Sequence, residues 1–377
     1  ILYFNIIKLI MEKPVRYGVI GIGGMGANHA KKLQENKIEN AILAAVADSN
    51  VEYKNKYENI PFFENTDNFF DNKIIDAAII ATPHKSHIDL AKKALENNIN
   101  VIIEKPLAIT SKKCREFINI SQNFKAFFTV MLNQRTNPVY VKIKELINGN
   151  ELGKVHRFQW TITNWFRTNY YYQTSNWRAK WESEGGGVLI NQSIHQLDLC
   201  QWLFGMPDSV YTDLGLGRFH EIEVEDEVTS IFKYKNGLKG VFITTTGEAP
   251  GVNRLEIASD KGLITIQDNN VTWEKIDSST EFIKNSKTLF GMPKKEKINF
   301  NFKADLDQHI EHQRLIQNFT NFLLGKEKLL VNGKDGLNSV ELINAMVLSG
   351  LEEKKIELPL DEVKYEQKLE EMISKSR

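Results

Sequence analysis

The run Gly21-Ile22-Gly23-Gly24-Met25-Gly26 has the spacing of a phosphate-binding turn. Gly21 permits a tight bend, Gly23 lets the backbone come close to a pyrophosphate, and Gly26 lets a helix pack against a strand. A helix opening at Met25 would turn free N–H groups and the positive end of its dipole toward the phosphates. The next predicted strand ends at Asp48, 22 residues after Gly26. A carboxylate there accepts hydrogen bonds from ribose 2′- and 3′-hydroxyls and repels a 2′-phosphate. Ser49 and Asn50 follow, with no arginine to welcome that phosphate, so NAD is favoured over NADP. Gly21, Gly23, Gly24, Met25, Gly26 and Asp48 are the expected cofactor contacts.

Two further segments bear chemistry. A strand over Asp76–Ala81 runs into Thr82-Pro83-His84-Lys85-Ser86-His87, and one over Asn100–Ile103 runs into Glu104-Lys105-Pro106. Carboxyl ends of such strands face a nucleotide crevice. Thr82 and Pro83 would line the nicotinamide-ribose side. A lysine at position 105 could hydrogen-bond a hydroxyl that is becoming a carbonyl, and Glu104 could anchor that lysine or hold ribose. His84 and His87 are three apart, but no cysteine or third histidine is near to complete a zinc site, so His87 is assigned to structure or cofactor packing. No metal is expected.

These residues need elements to position them. Short β-branched runs at Val15–Ile20, Ile42–Ala47, Asp76–Ala81, Asn100–Ile103 and Ala126–Leu132 alternate with helical stretches at Met25–Glu35, His84–Glu96 and Ser111–Ser121. That alternation predicts βαβ units and a parallel sheet. After about Asn133 the pattern changes. A helix over Pro138–Ile147 is followed by runs at Val155–Thr163, Ser209–Leu216, Glu225–Lys235, Leu238–Thr246, Asn253–Ala258, Gly262–Gln267 and Val271–Ile276. Most alternate polar with apolar residues, as half-exposed antiparallel strands do, and Asn236-Gly237 marks a hairpin. A helix is predicted over Leu189–Phe204, and two more near Leu306–Leu324 and Leu337–Leu351. Residues 277–304 are polar and lysine-rich and predict an exposed excursion. The fold class is α/β: a doubly wound nucleotide domain over 11–134, then an α+β domain over 135–377 built on a large, mostly antiparallel sheet. The crevice between two such domains is the default place for chemistry.

Composition sets bounds. The chain has 377 residues, 42% of them hydrophobic, with 48 cationic and 48 anionic side chains. The balance gives no argument for nucleic acid or an anionic membrane. Cys114 and Cys200 make no disulfide framework and no zinc site, which fits a reducing, cytoplasmic setting. Residues 1–10 are apolar but too few to cross a bilayer, and Met11 looks like a natural start.

The segment DAAIIATPHKSHIDLAKKALENNINVIIEKPLA, with GIGGMG before it and GGGVLINQSIHQLDLCQWLFG (Gly185–Gly205) after it, resembles the glucose–fructose oxidoreductase / inositol dehydrogenase / MocA family. The likeness runs from about Val15 to Pro359. It implies pyranose or cyclitol substrates and dimers or tetramers formed through the second domain's sheet. It implies that Lys105 touches substrate and nicotinamide, often before a cis proline, and that His195, the first residue of H-x-x-D, is the catalytic histidine. Many relatives carry an aspartate four residues before that histidine. Here the position is Asn191, which can hydrogen-bond a hydroxyl but cannot take a proton. Asn191 therefore signals a different subgroup and substrate, and Asp198 is expected to hold the helix or the histidine.

On the substrate side, Asn164–Gly187 is rich in aromatics and cations. Trp165, Tyr170, Tyr171, Tyr172, Trp177 and Trp181 could stack on a sugar ring, and Arg167, Arg178 and Lys180 could bind hydroxyls or a carboxylate. A packed loop or an oligomer interface would use the same aromatics. Trp177 and Arg178 lead as substrate contacts. Asn133 and Arg135, after the last strand of the first domain, are expected to enter the cleft. His309 and His312, with Asp305, are assigned to a solvated helix face, and Glu223, Glu225, Asp226 and Glu227 to a sheet edge or exposed patch. No partner is assigned to His29 or His156. The chemistry implied is hydride transfer between NAD and a ring hydroxyl, with His195 as base and Lys105 on the oxygen. The alternative is an enzyme that keeps its NAD and oxidises a sugar carbon only transiently.

Overall fold

The apolar runs in the first part of the chain form strands because both their faces are covered. In the computed structural model, which describes residues 13–268, 270–302 and 309–376, they build a six-stranded parallel sheet. Its strands are β1 (Val15–Ile20), β2 (Ala41–Ala47), β3 (Phe62–Phe63), β4 (Ala77–Ile80), β5 (Asn100–Ile103) and β6 (Phe128–Val130), in the order β3-β2-β1-β4-β5-β6. All four residues of β4 are buried, as expected for a strand between helical layers. Chain order reverses between β1 and β4. The carboxyl ends at this switch point are where ligands of doubly wound sheets bind.

The chain forms two compact units. The first holds the described residues up to Leu107, then Glu116–Asn133 and His309–Gly333. The helix Ile310–Leu323 therefore belongs to the nucleotide unit although it lies far along the chain. Tyr17 on β1 hydrogen-bonds Thr320 on this helix at 2.9 Å, and Thr129 on β6 donates to the Val331 carbonyl at 2.8 Å.

The second unit is built on a nine-stranded sheet. Its strands are β7 (Val155–Ile162), β8 (Ser209–Leu216), β9 (Glu225–Lys233), β10 (Lys239–Thr245), β11 (Asn253–Ser259), β12 (Gly262–Gln267), β13 (Asn270–Lys275), β14 (Glu296–Phe300) and β15 (Ile356–Glu357). The order is β14-β13-β12-β11-β7-β10-β9-β8-β15, antiparallel except for the parallel pair β7 and β10. Asn236-Gly237 turns β9 into β10, with Gly237 at φ +89°. Alternation puts Phe158, Trp160, Phe232, Phe242, Leu255 and Ile257 on one face, in a core shared with the helices Ile194–Phe204 and Gly333–Glu352.

Several expectations are corrected. The single helix predicted over Leu189–Phe204 is two, Val188–Asn191 and Ile194–Phe204. They are separated where the Ser193 N–H bonds the Val188 carbonyl, five residues back. The excursion at 277–304 contains a helix, Ser279–Asn285, and strand β14 paired with β13; its apolar residues Leu289 and Phe290 are nonetheless 94% exposed. A further helix, Glu362–Lys375, follows the two predicted near the end. Residues 1–10, Met11, Asp305 and the first turn of the helix predicted from Leu306 lie outside the described residues.

Candidate active site

The glycine loop leaves β1 with Gly21 at φ +81°, a conformation that favours glycine. A Cβ at Gly26 would collide with the Gly21 carbonyl oxygen, whereas one at Gly23 or Gly24 would meet nothing within 4 Å. The loop is thus tight beneath and open above, at the N-terminus of helix Gly24–Gln34, which a pyrophosphate requires. Asp48 is fixed beside it. Its Oδ2 accepts the Ile22 N–H at 2.8 Å and its Oδ1 the Asn50 N–H at 2.9 Å. These residues fit a dinucleotide.

Loops after β4 and β5 are stapled together by His87. Its two ring nitrogens lie 2.8 Å from the Thr82 and Pro106 carbonyl oxygens. Burial pushes its pKa below the usual imidazole range, against the opposite pull of those carbonyls. Thr82 Oγ1 is 2.7 Å from Ser86 Oγ, and the Lys105–Pro106 peptide is cis. From Val101 to Ser111 every residue is buried except Lys105, which is partly exposed.

Glu104 directs that loop inward. Its Oε1 pairs with His29 Nε2 at 2.7 Å, and its Oε2 accepts the Lys105 N–H at 3.2 Å. Burial raises the Glu104 pKa, but the His29 hydrogen bond and the charges of His29, His312 and Lys105 outweigh it, giving about 2. The solvated face assigned to His309 and His312 is corrected. The His312 ring lies 5.6 Å from that of His29 and 5.4 Å from that of His309, and its Nδ1 is 3.3 Å from Asn133 Nδ2. Burial lowers the His312 pKa to about 4. Asn133 is thus gathered with Glu104 and the histidines. His29, left without a partner by the sequence, is wholly buried.

In the second unit, from Glu184 to Gln201, the partly exposed residues are Asn191 and His195; the others are buried. Asp198 holds this segment. Its carboxylate accepts Arg135 Nε at 2.8 Å, Arg135 Nη2 at 2.7 Å, Gln201 Nε2 at 2.9 Å and Ser339 Oγ at 3.0 Å. Arg135 also pairs with Asp335 at 3.0 Å and is 1% exposed. The expectation that Arg135 enters a cleft is therefore corrected: two carboxylates take up its guanidinium inside the unit.

The aromatic segment divides. Trp181 is buried, donating through its backbone N–H to Glu223 Oε1 at 2.6 Å and through Nε1 to the Glu223 carbonyl at 2.8 Å, so it does not stack on a ligand. The Arg178 guanidinium lies 4.6 Å from the Trp177 ring and 4.8 Å from the Tyr171 ring, and Nη1 donates to Tyr171 Oη at 2.9 Å. Arg167 lies 5.0 Å from the Tyr171 ring. The acidic residues are no exposed patch. Asp226 is buried and accepts backbone N–H groups from Arg218, Phe219 and His220 at 2.8–3.0 Å, and His220 Nδ1 lies 2.9 Å from it. Glu225 is buried beside Gly187. Both were read as exposed from the clustering of acids, because each satisfies donors reached only by a turn or a neighbouring helix. Among the described residues no group of three His, Cys, Asp or Glu side chains is arranged to hold a metal ion, and no helix is long and apolar enough to cross a membrane.

Comparison with known proteins agrees with this geometry. Residues 8–131 match the model of an oxidoreductase family with an NAD-binding Rossmann fold, and residues 140–265 match the GFO/IDH/MocA C-terminal domain. Oxidoreductase P35 of Formosa agariphila is 30% identical over 234 residues, covering 61% of this chain and 72% of that protein. The scyllo-inositol 2-dehydrogenase (NAD(+)) of Bacillus subtilis is 27% identical over 202 residues, 52% of each chain. The WlbA dehydrogenase of Bordetella pertussis, solved with NADH and UDP-GlcNAcA, superposes with a TM-score of 0.77 at 23% identity, covering 92% of this chain and 100% of that one. The chain belongs to the GFO/IDH/MocA family of NAD-binding oxidoreductases.

Proposed function

We propose that the protein transfers a hydride reversibly between NAD and a ring CH–OH group of a sugar, sugar acid or cyclitol. The observation that carries this reading is selective exposure: Lys105 emerges from an otherwise buried stretch, and so do Asn191 and His195. His195 takes the hydroxyl proton, imidazole being the side chain most often used for proton transfer. The Lys105 ammonium stabilises negative charge developing on the oxygen. Asn191 binds a neighbouring hydroxyl. Arg178, stacked on Trp177, offers a cation for an acidic sugar and a ring for its apolar face. Bound NAD would supply the hydride acceptor, held by Gly21–Gly26 and Asp48, whose charge favours it over NADP.

Support for the substrate class comes from relatives named for scyllo-inositol and solved with UDP-GlcNAcA. A homodimer or homotetramer is proposed through the open face of the nine-stranded sheet, where Tyr211 and Ile231 are 47% and 44% exposed. Cys114 and Cys200, buried and free, suit a reducing, cytoplasmic compartment.

The test is NADH formation with a panel of cyclitols, hexoses, UDP-linked sugar acids and anhydro-sugars. Stoichiometric NADH with one member supports net oxidation. Substrate turnover with NAD returned unchanged would overturn it in favour of transient oxidation.

A further inference from the structure

The three glycines at 185–187 lead into the short helix Val188–Asn191, and they are wrapped around one side chain. A Cβ at Gly187 would collide with the Glu225 carbonyl oxygen, so this approach to the start of β9 is open only to glycine. A Cβ at Gly186 would lie 3.4 Å from Glu225 Oε1 and 3.5 Å from Oε2. Glu225 is wholly buried there, and its Oε1 accepts the Gly187 N–H at 2.8 Å and the Leu189 N–H at 3.1 Å. Amides at the start of a helix have no acceptor inside it, and Gly187, at the cap position, has no side chain to supply one. A carboxyl from a strand 36 residues further on supplies it instead. Burial, reinforced by the charge of Glu184 and offset in part by these hydrogen bonds, pushes the Glu225 pKa up to about 7. Below that pH the group is a neutral acid, and Oε1 needs no charge to accept the two amides.

The rest of the bend is held elsewhere. At the break between the two helices Ser193 Oγ lies 2.7 Å from Thr244 Oγ1 on β10. Beyond it Asp198 fixes Ile194–Phe204 through Arg135, Gln201 and Ser339. The four-residue helix before the break is too short to hold itself, since a first turn is unfavourable to form alone. We infer that Glu225 is a positioning residue for the reaction: its Oε1 anchors the start of Val188–Asn191, so that Asn191 and, one bend later, His195 keep a fixed place. Without that oxygen two buried N–H groups are left unpaired, and the turn must move to satisfy them. A displacement of about 1 Å can slow an aligned reaction about a hundredfold. The inference rests on the hydride-transfer reading for the roles of Asn191 and His195, and not for the anchoring of the bend.

The test uses the full chain and separates reach from charge. Glu225→Gln keeps the length and an acceptor oxygen. Glu225→Asp keeps the acid but is one methylene shorter, which draws its oxygens back from both amides. With whichever panel member wild type oxidises, Glu225→Asp should lower kcat about tenfold to a hundredfold and Glu225→Gln by less than about threefold. NAD affinity should stay within a few-fold of wild type in both, with both folded at the assay temperature. Amide hydrogen exchange over residues 187–193 should quicken about tenfold or more in Glu225→Asp and little in Glu225→Gln. A wild-type kcat in Glu225→Asp, or equal losses in the two variants, overturns the inference. Should Glu225→Asp fail to fold, Glu225→Met, which keeps the length without an acceptor, takes its place and is read in the same way. If wild type oxidises no panel member, the hydride-transfer reading has failed and exchange alone decides the anchoring: faster exchange in Glu225→Asp supports it, and unchanged exchange overturns it.

Discussion

Replacing Arg135 with methionine removes a guanidinium that is 1% exposed and keeps much of its volume. Asp198 loses its hydrogen bonds to Nε and Nη2, at 2.8 and 2.7 Å, but keeps those from Gln201 and Ser339. Asp335, with 18% of its side chain exposed, can rehydrate. Breaking a buried pair by removing one partner costs about 3–5 kcal/mol; because Asp198 stays partly satisfied, the low end, about 3 kcal/mol, is expected here. Urea unfolding followed by tryptophan fluorescence is a suitable assay, since Trp202 lies 5.5 Å from the Arg135 guanidinium. A cycle with Asp198→Asn should return a coupling energy of about 1–3 kcal/mol. A loss below about 1 kcal/mol for Arg135→Met, or unchanged stability with a raised substrate KM, would refute the assignment of Arg135 to structure.

Other predictions follow from the same geometry. Glu225 has a folded pKa of about 7, above its unfolded value, so the folded state binds the extra proton and stability should fall as pH rises from about 4.5 to 7. Glu225→Gln should flatten urea-unfolding free energies between pH 5 and 8, and parallel curves for the two proteins would count against it. Glu104, held at about 2, works in the opposite sense: its contribution is present above about 4.5 and lost as pH falls toward 2. His29→Leu should cost about 1–3 kcal/mol at pH 7 by leaving that buried carboxylate short of a donor, and a neutral result in thermal unfolding would sink the pairing. Asp48→Ala should weaken NAD binding roughly tenfold to a hundredfold and narrow the preference over NADP, read by calorimetry with both nucleotides.

What could be read along the chain was local. Gly21, Gly23, Gly26 and Asp48 could be named as expected cofactor contacts because a tight turn, a helix start and the next strand end lie within one βαβ unit. Lys105 and His195 were named through the family resemblance carried by the short motifs E-K-P and H-x-x-D. The supporting groups were not legible, because their partners are distant in sequence: His29 meets Glu104 across 75 residues, Asn133 meets His312 across 179, and Arg135 meets Asp198 across 63. The clustering of acids read Glu225 and Asp226 as exposed, since it cannot foresee the Gly187 amide or the Arg218–His220 turn that those carboxylates satisfy. Helical periodicity likewise ran through Gln192 and Ser193, where a bond five residues back interrupts the helix without any glycine or proline to mark it.

The central claim is that Lys105 and His195 perform chemistry instead of holding the fold or the cofactor. Its most direct test is the rate of NADH formation by Lys105→Ala and His195→Ala on the panel substrate, measured beside each variant's NAD dissociation constant. The account predicts kcat lowered by about a hundredfold or more in each, the usual scale for removing a proton-transfer or charge-stabilising group, with NAD affinity within a few-fold of wild type. Wild-type rates in both variants would contradict it.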